Sequence, residues 1–489
     1  MRTWLPLIAT CLGTFLLLVY STIVTVAMPD IGTALGADFG SLQWVVDVYT
    51  LALAGLLLGM GSLGDVLGRK RLYLGGLGLF ALASLGCGLA GNATVLILAR
   101  AVQGIAGAAM FATLVPLIGA TYSGHRKGIA FAVWGAVAGA AAGLGNIAGG
   151  VLTQFFSWPW MFYGGVPLAL LTLALAAAVL PAEQRSRSAI DYPGILTFTL
   201  AATGFTFGII SGGEQGWGSV RALCGFAAGT LALLVFRYTQ RHSAHPMFDL
   251  GLLRKPGFNG TLLTAFGYYL AGFGALPVLS LWLEGSARLD ALSTALVLAV
   301  QPAVFFATSG LLGSRLQHLA PRLSLGGGTV LVGIGALAWV FAGDGSWPSL
   351  LAGLILTGAG AGMVSPVLPA TAMAAAPASR SGVASAAANC ARQIGLTLGI
   401  AVLTSVFHQY GAARTTGLHA AALLAGLTGL ASGALAYRLL RPRATGPSSG
   451  PRSPAGGSPT TRSASGTPPN TSGGARWSLS PRWRARSAR

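Results

Sequence analysis

The chain has 489 residues, of which 53% are hydrophobic and only 8% are charged. A soluble globular protein carries roughly a quarter of charged residues, so this sequence has too little charge to cover a water-facing surface. The composition excludes a soluble enzyme or binding module and predicts a polytopic membrane protein. The formal net charge of +19 does not indicate nucleic-acid binding, because the basic residues lie in the last segment of the chain and in alternate loops.

Fourteen apolar runs follow one another along the chain, each about the ~20 residues that cross a bilayer as a helix. They predict an all-α fold with spans at 5–28, 41–63, 72–91, 94–121, 128–152, 158–181, 192–211, 218–236, 258–282, 290–312, 324–342, 347–371, 384–408 and 417–439. Lysine and arginine concentrate in alternate loops, which predicts that both termini lie in the cytoplasm. Residues 441–489, rich in Ser, Pro, Gly, Thr and Arg, are predicted to form a disordered, basic cytoplasmic tail.

A short loop between the second and third runs combines glycines, one carboxylate and three consecutive cations. Its key residues are Gly61, Asp65, Gly68, Arg69 and Lys70. Their spacing resembles the loop between helices 2 and 3 of the major facilitator superfamily, from which only Val66 departs. The resemblance implies a loop that locks the cytoplasmic side of a transporter. The alternative is a basic loop that only sets the orientation of the chain in the membrane.

Asp47 is the carboxylate that lies clearly inside an apolar run, near its outer end. An ionisable group within a span is costly and usually faces a cavity or a partner. A carboxyl group can also take up and release a proton, so Asp47 is the first candidate for proton coupling. The alternative is an aspartate in an outer vestibule that stays charged and only shapes access.

Arg100 lies within the fourth apolar run. An arginine keeps its charge and therefore needs a carboxylate, backbone carbonyls or water as partners. The segment 96–107 resembles the helix-4 motif of the superfamily, which associates this arginine with proton transfer or with fixing a nearby carboxylate. The resemblance makes Arg100 the second candidate for proton coupling. The alternative is an arginine near a helix end whose side chain extends to the membrane surface.

The fifth run is rich in glycine, which permits close helix packing and a bend. It resembles the antiporter motif of exporters in the same superfamily through Gly139, Gly143, Gly145, Gly149 and Gly150. Asn146 occupies the position at which the family has proline. Packing of small residues alone is the alternative explanation of these glycines.

Several polar residues inside the apolar runs are candidates for lining a central cavity. They are Tyr20, Gln103, Gln301, Asn389, Arg392 and Gln393. Arg392 is the strongest of these candidates in the second half, because a charged side chain within a span is costly and usually has a functional role. Tyr20 and Thr25 stand where the resembled helix-1 segment has aspartate and asparagine. Their presence weakens the expectation of a cationic cargo, since a buried cation needs a counter-charge.

The span count and these motifs together resemble the fourteen-span drug:proton antiporter family of the superfamily. The resemblance implies two six-helix bundles around a central cavity, here residues 1–181 and 258–440. Residues 182–257 then supply two extra central helices and a cytoplasmic connector. The implied function is a proton-coupled antiporter of the plasma membrane that exports hydrophobic or amphipathic small molecules by alternating access. Its implied partners are the cargo, protons and the lipid bilayer, and it acts as a monomer without a cofactor.

A dedicated exporter of one self-made, anionic natural product is the main alternative, because Arg100 and Arg392 lie in apolar runs while embedded carboxylates are few. A transport-inactive receptor is a further alternative, since helix 1 and helix 5 depart from the family pattern. An intramembrane enzyme or an ATP-driven pump is not expected, because no H-E-x-x-H, G-x-S-x-G or Walker A sequence occurs. The four cysteines form no C-x-x-C pair, so no metal site is expected.

Overall fold

The computed structural model describes residues 2–181, 189–343, 345–377, 380–410 and 414–440. The predicted tail at 441–489 lies outside the described residues and stays a prediction. Within the described helices, the side-chain environments of Thr25, Gly143, Asn146 and Gly150 are also left undescribed.

Fourteen long helices account for most of the described chain, and they match the fourteen predicted spans in order. The first seven are α1 Leu5–Val26, α2 Phe39–Leu67, α3 Arg69–Gly88, α4 Ala93–Thr121, α5 Gly124–Phe155, α6 Pro159–Val179 and α7 Tyr192–Gln215. The other seven are α8 Val220–His242, α9 Pro256–Gly285, α10 Ser293–Leu316, α11 Arg322–Phe341, α12 Trp347–Ala374, α13 Ser381–Gln409 and α14 Arg414–Leu439.

Thirteen of these helices are long and apolar enough to cross a membrane. The remaining one is α5, a helix of 32 residues that coincides with the fifth predicted span at 128–152. A short helix, Met28–Leu35, joins α1 to α2. The described ranges contain no β-strand. The prediction of an all-α polytopic membrane protein is therefore confirmed.

Two helices of the second half contain a π-helical turn. A π-helical turn at Tyr269–Phe273 interrupts α9, and a second one at Arg322–Gly327 opens α11. Such turns add one residue to the helical turn and are frequent at functional sites. The first of them presents aromatic side chains to α13, as described below.

Buried apolar side chains form two clusters. One draws most of its members from residues 7–180 and the other from residues 265–425. Helices of the two regions meet along α5 and α10, where a Cβ placed on Gly139 would lie 2.8 Å from the Phe305 ring and one on Gly313 would lie 2.5 Å from the Ala132 side chain. Small residues thus let these two helices approach closely, as expected in a bilayer, where helices associate by close packing because no hydrophobic force drives them together.

A second contact between the two regions runs along α2 and α13. A Cβ on Gly61 would lie 2.7 Å from the Ala386 side chain, and the Cys390 thiol lies 3.6 Å from the carbonyl oxygen of Ala54. Both this contact and the α5–α10 contact lie in the halves of the helices that adjoin the basic loops. That side of the protein, here called the basic-loop side, is therefore closed in this structure.

The helices α7 and α8 pack against each other through glycines, since a Cβ on Gly204 would lie 2.7 Å from the backbone nitrogen of Gly229. The helix α7 also packs against helices from both halves of the chain. A Cβ on Gly59 would lie 2.8 Å from the Ile195 side chain, and one on Gly213 would lie 2.9 Å from Ala401. The helix α7 therefore contacts α2 in the first half of the chain and α13 in the second.

Candidate functional site

The loop between α2 and α3 is reduced to a single residue. Gly68 has a φ of +100°, a conformation that residues with a side chain rarely adopt. It turns the chain sharply, so that Arg69 folds back onto the last turn of α2. The Arg69 Nη2 and Nε atoms donate to the Asp65 Oδ1 atom at 2.9 and 3.1 Å. Both side chains are largely buried, with 13% of Arg69 and 6% of Asp65 exposed.

Asp65 also binds the beginning of α13, more than 300 residues further along the chain. Its two carboxylate oxygens accept hydrogen bonds from the backbone nitrogens of Gly382 and Val383, each at 3.2 Å. Arg69 Nη2 donates to the Ser381 hydroxyl at 2.7 Å. A carboxylate at a helix N-terminus is stabilised by the unpaired N–H groups and the helix dipole there. We call this arrangement of Asp65, Arg69 and residues 381–383 the clasp.

Lys70 serves a different purpose from Arg69. Its Nζ atom donates to the carbonyl oxygens of Ala177 and Leu180, at 2.9 and 2.6 Å, at the end of α6. A cation is favourable at a helix C-terminus, where carbonyl groups lack partners. The predicted lock residues thus divide into those that reach α13, through Asp65 and Arg69, and one that fastens α3 to α6 within the first half.

Asp47 is half-buried near the start of α2. Its carboxyl group lies near that of Glu214 on α7. The sequence alone did not indicate Glu214, because the apolar run ends at 211 whereas the helix continues to Gln215. The sequence signal for Glu214 is a carboxylate that lies within one helical turn of the end of a predicted span.

Arg100 is fully buried in α4 and its partners are backbone carbonyls rather than a carboxylate. The Nε atom donates to the Val45 carbonyl oxygen at 3.0 Å, and Nη1 donates to that of Tyr20 at 3.3 Å. The guanidinium carbon lies 4.3 Å from the centroid of the Tyr49 ring. Of the three kinds of partner that the sequence allowed, backbone carbonyls are therefore the ones observed, and Arg100 ties α4 to α1 and α2.

Gln103 and Tyr20 complete this buried polar network. Gln103 accepts from Arg100 Nη1 at 2.7 Å and donates through Nε2 to the Ser84 hydroxyl at 2.7 Å. The Tyr20 hydroxyl donates to the carbonyl oxygen of Met161 on α6. Both residues are predicted to line a cavity. In this structure their polar groups form hydrogen bonds that join helices of the first half.

The glycines of α5 separate into two groups by what they contact. Gly139 faces Phe305 of α10, as noted above. A Cβ on Gly145 would overlap the Thr22 hydroxyl, and one on Gly149 would lie 2.6 Å from the Ile23 carbonyl oxygen, both on α1. Gly139 therefore serves the contact with α10, whereas Gly145 and Gly149 serve the contact with α1. The surroundings of Gly143 and Gly150 lie outside what the structure describes.

Arg392 occupies an aromatic cage between the two halves of the chain. Only 4% of the residue is exposed. Its guanidinium carbon lies 4.7 Å from the Phe111 ring centroid on α4 and 4.9 Å from that of Tyr269, in the π-helical turn of α9. Tyr268 also lies beside the same guanidinium. Arg392 thus meets rings rather than carboxylates, an arrangement worth roughly 0.5–2 kcal/mol per ring contact.

The remaining cavity candidates lie near this cage on the second half. Gln301 is fully buried on α10 and donates through Nε2 to the Gly272 carbonyl oxygen at 3.0 Å, next to the π-helical turn. Asn389 is buried and Gln393 half-buried on α13, three residues before Arg392 and one after it. Among the described residues, no group of three or more His, Cys, Asp or Glu side chains could hold a metal ion.

A further carboxylate at the basic-loop side was missed by the sequence analysis. Asp191 is buried and caps α7 by accepting from the Gly194 backbone nitrogen at 2.9 Å. It also accepts from Gln240 Nε2 on α8 at 2.6 Å and from the Met247 backbone nitrogen at 2.9 Å. These bonds fix the ends of α7 and α8 and the connector after them in the neighbourhood of the clasp.

Fourteen membrane-length helices, closed on one side by a charged clasp, define a polytopic transporter of the alternating-access type. The chain belongs to the major facilitator superfamily, whose family model matches residues 10–253 and 261–484.

Relatives of known name support this assignment. The chain is 32% identical to the multidrug resistance protein Stp of Mycobacterium tuberculosis over 82% of its own length and 75% of that protein. It is 32% identical to the puromycin resistance protein pur8 of Streptomyces alboniger, over 83% of this chain and 82% of that one. It is 34% identical to the cephamycin export protein CmcT of Amycolatopsis lactamdurans, over 82% and 84%.

Solved structures confirm the fold. The human organic anion transporter MFSD10 superposes with a TM-score of 0.63 at 17% identity, covering 90% of this chain and 98% of that one. The proton:xylose symporter XylE superposes with a TM-score of 0.62 at 14% identity, covering 90% and 96%. The predicted major-facilitator fold is therefore confirmed, whereas the roles of individual site residues stay predictions.

Proposed function

We propose that this protein is a proton-coupled antiporter of the plasma membrane that exports hydrophobic or amphipathic small molecules by alternating access. The observation that carries the proposal is the clasp, in which Asp65 and Arg69 of the first half hold the N-terminus of α13 in the second. A few charged hydrogen bonds at one side of a two-part protein can break and re-form, as alternating access requires.

The two moving bodies are proposed to be the bundles at 1–181 and 258–440, with both termini in the cytoplasm and a single chain as the working unit. In this state the basic-loop side is closed by the clasp and by the α2–α13 and α5–α10 contacts. Opening it requires Asp65 to leave the backbone nitrogens of Gly382 and Val383. The glycines of α5 let α10 approach closely, and opening this side also requires the Ser309 hydroxyl of α10 to leave the Ala132 carbonyl oxygen of α5.

Proton coupling is proposed to involve Asp47 and Arg100. Asp47 can exchange a proton, and Arg100 fixes the α2 backbone two residues from it through the Val45 carbonyl oxygen. Because Arg100 also binds the Tyr20 carbonyl oxygen of α1, a change at Asp47 would be transmitted to α1 and α4 through this rigid network. We assign Arg100 a positioning role.

The cargo class is proposed from the relatives, which are named for multidrug resistance, puromycin resistance and cephamycin export. The aromatic cage supports an alternative, a dedicated exporter of an anionic product. Its guanidinium, Arg392, is held by Phe111, Tyr268 and Tyr269, none of which carries a negative charge. An acidic cargo group could therefore approach Arg392 without displacing a protein carboxylate.

Inverted membrane vesicles test the proposal directly. Vesicles that contain the protein, acidified inside, should accumulate ethidium or puromycin, and protein-free vesicles should not. Collapse of the proton gradient with a protonophore should abolish accumulation. Uptake that persists without the gradient would contradict proton coupling, and gradient-driven uptake of carboxyfluorescein but not of ethidium would favour the anionic alternative.

A further inference from the structure

Arg392 is a buried arginine with a hydrogen-bond donor that is not used in this state. Only 4% of the residue is exposed. Within the described ranges of the chain, its Nε atom has no hydrogen-bond partner. A buried N–H group without a partner is rare, and on a charged side chain it is especially costly. The Nε–H group is therefore available to an acceptor that comes from outside the protein.

The contacts of Arg392 differ in kind from those of Arg100, the buried arginine of the first half. Arg100 donates through Nε and Nη1 to three acceptors, all of them in its own half. The guanidinium carbon of Arg392 instead lies 4.7 Å from the Phe111 ring centroid and 4.9 Å from that of Tyr269. A ring face attracts a cation but is only a weak acceptor for its N–H groups. The rings thus cover Arg392 and leave its capacity to bind an anion intact.

The two rings belong to opposite halves of the chain. Tyr269 lies on α9, in the same half as Arg392, whereas Phe111 lies on α4. Phe111 and Arg392 are each about three helical turns from the basic-loop ends of their helices. Their contact therefore belongs to the side that the clasp closes. When the halves separate on this side, Arg392 leaves Phe111 and becomes accessible.

The π-helical turn beside Arg392 adds apolar surface and a second unused polar atom. The Tyr269 and Phe273 rings stack with their centroids 4.7 Å apart. Gln301 donates through Nε2 to the Gly272 carbonyl oxygen of this turn, while its buried Oε1 atom has no hydrogen-bond partner within the described part of the chain. Sites for small molecules combine apolar walls with a few polar groups of this kind.

We propose that Arg392 binds a carboxylate group of the cargo and that the Phe111 ring covers this subsite when the basic-loop side closes. A guanidinium binds a carboxylate through two parallel hydrogen bonds, a contact that can include the unused Nε–H group. The cargo is then an amphipathic acid whose apolar body lies against Tyr269 and Phe273. The proposal deepens the function proposed above and rests on it, because it names the cargo class and requires that the two halves separate.

Such a subsite links cargo binding to the closing of the basic-loop side. The closed state buries Arg392 beneath Phe111 and leaves no access for an acid, whereas the open state exposes the guanidinium. A ligand that binds one of two states shifts the population toward that state. An acid on Arg392 therefore holds the basic-loop side open, and contact between Phe111 and Arg392 favours its release.

Calorimetric titration of the purified full-length protein in detergent tests the subsite without transport. The probes are 1-naphthoate and its neutral amide, 1-naphthamide, which share an apolar body and differ in charge. The wild type should bind naphthoate at least about tenfold more tightly, since charge-assisted paired hydrogen bonds are strong. Arg392→Gln should remove this preference. Equal affinities of the wild type for both probes, or a preference that survives in Arg392→Gln, would overturn the proposal.

Two further variants define what the preference depends on. Arg392→Lys keeps the charge but cannot form the paired contact, so its preference should be intermediate. The matched control is Arg322→Gln, because the Arg322 guanidinium carbon also faces a ring, 5.7 Å from the Tyr437 centroid, but within the second half. Arg322→Gln should keep the wild-type preference. A preference lost in Arg322→Gln would show that general positive charge selects the acid, which would overturn the assignment to Arg392.

The variant Phe111→Leu tests the role of the ring as a cover. Leucine keeps the position apolar but removes the ring face that favours the closed state. The apparent affinity of a site rises with the population of the state that exposes it, so Phe111→Leu should bind naphthoate about threefold more tightly or better. Naphthoate binding that is unchanged or weaker in Phe111→Leu would contradict this part of the proposal.

Gradient-driven export of ethidium, measured beside binding, separates the subsite from the proposed function. A wild type that prefers naphthoate but shows no gradient-driven export would disprove the proposed function and leave the subsite standing. A wild type that exports ethidium with the gradient but binds the acid and the amide equally would overturn the subsite and leave the function standing.

Discussion

Replacing Asp65 with asparagine is expected to open the basic-loop side and to abolish gradient-driven export. Asparagine keeps one acceptor oxygen but loses the charge that binds Arg69 and the N-terminus of α13. Hydrogen bonds to a charged group contribute about 1.5–3 kcal/mol each, and about 1.4 kcal/mol changes a population tenfold. The closed state should therefore lose about one to two orders of magnitude in population relative to the open one.

The reaction of a cysteine at Ser381 with a membrane-impermeant thiol reagent checks this expectation. In Asp65→Asn the reaction from the basic-loop side should be at least about tenfold faster, in line with the population change. The matched control is Asp249→Asn, which removes a carboxylate that caps a helix turn locally, through the Gly251 backbone nitrogen at 2.8 Å. Equal labelling rates in wild type and Asp65→Asn would show that the clasp does not hold the protein closed.

Replacing Arg100 with lysine is expected to destabilise the first half and to stop transport, although the charge is kept. The guanidinium reaches two carbonyl oxygens on different helices and Gln103 at the same time, and its carbon lies 4.3 Å from the Tyr49 ring centroid. An ammonium group is a point charge that cannot span these partners. Loss of one or two such bonds should lower the free energy of unfolding by about 1.5–3 kcal/mol each.

Thermal unfolding in detergent, measured beside export in vesicles, checks this prediction. Arg100→Lys should unfold at a clearly lower temperature than the wild type. The control is Arg221→Lys, which makes the same exchange at an exposed position in the first turn of α8 and should leave both measurements unchanged. An Arg100→Lys protein with wild-type stability and export would mean that the buried network is dispensable.

The sequence identified the clasp residues of α2 and α3 but not their partner. Asp65 and Arg69 could be selected because glycine, carboxylate and cations occur at fixed spacing in a loop of a few residues. Their contact with residues 381–383 joins positions more than 300 residues apart, and local pattern holds no information on such pairs. The Ser381 hydroxyl in particular carries no signal in the sequence, since serine is common in loops.

Polar residues inside the helices were located correctly, but their partners could not be assigned. The sequence required a carboxylate, carbonyls or water for Arg100, and only the packing of α1, α2 and α4 selects the carbonyls of Val45 and Tyr20. Glu214 was missed because hydropathy falls before the helix ends, at 211 rather than at Gln215. Helix packing as well as composition sets the length of a helix, so a carboxylate just beyond an apolar run can still belong to the helix.

The most direct test of alternating access is a pair of distance measurements by pulsed electron paramagnetic resonance on a protein without its four native cysteines. The first spin-label pair spans the two halves at the basic-loop side, at Leu67→Cys and Leu319→Cys. The second pair spans them at the opposite side, at Phe155→Cys and Leu296→Cys. All four positions are exposed. We expect the first distance to lengthen and the second to shorten when Asp65→Asn is introduced. Two distances that stay fixed, or that lengthen together, would contradict the account.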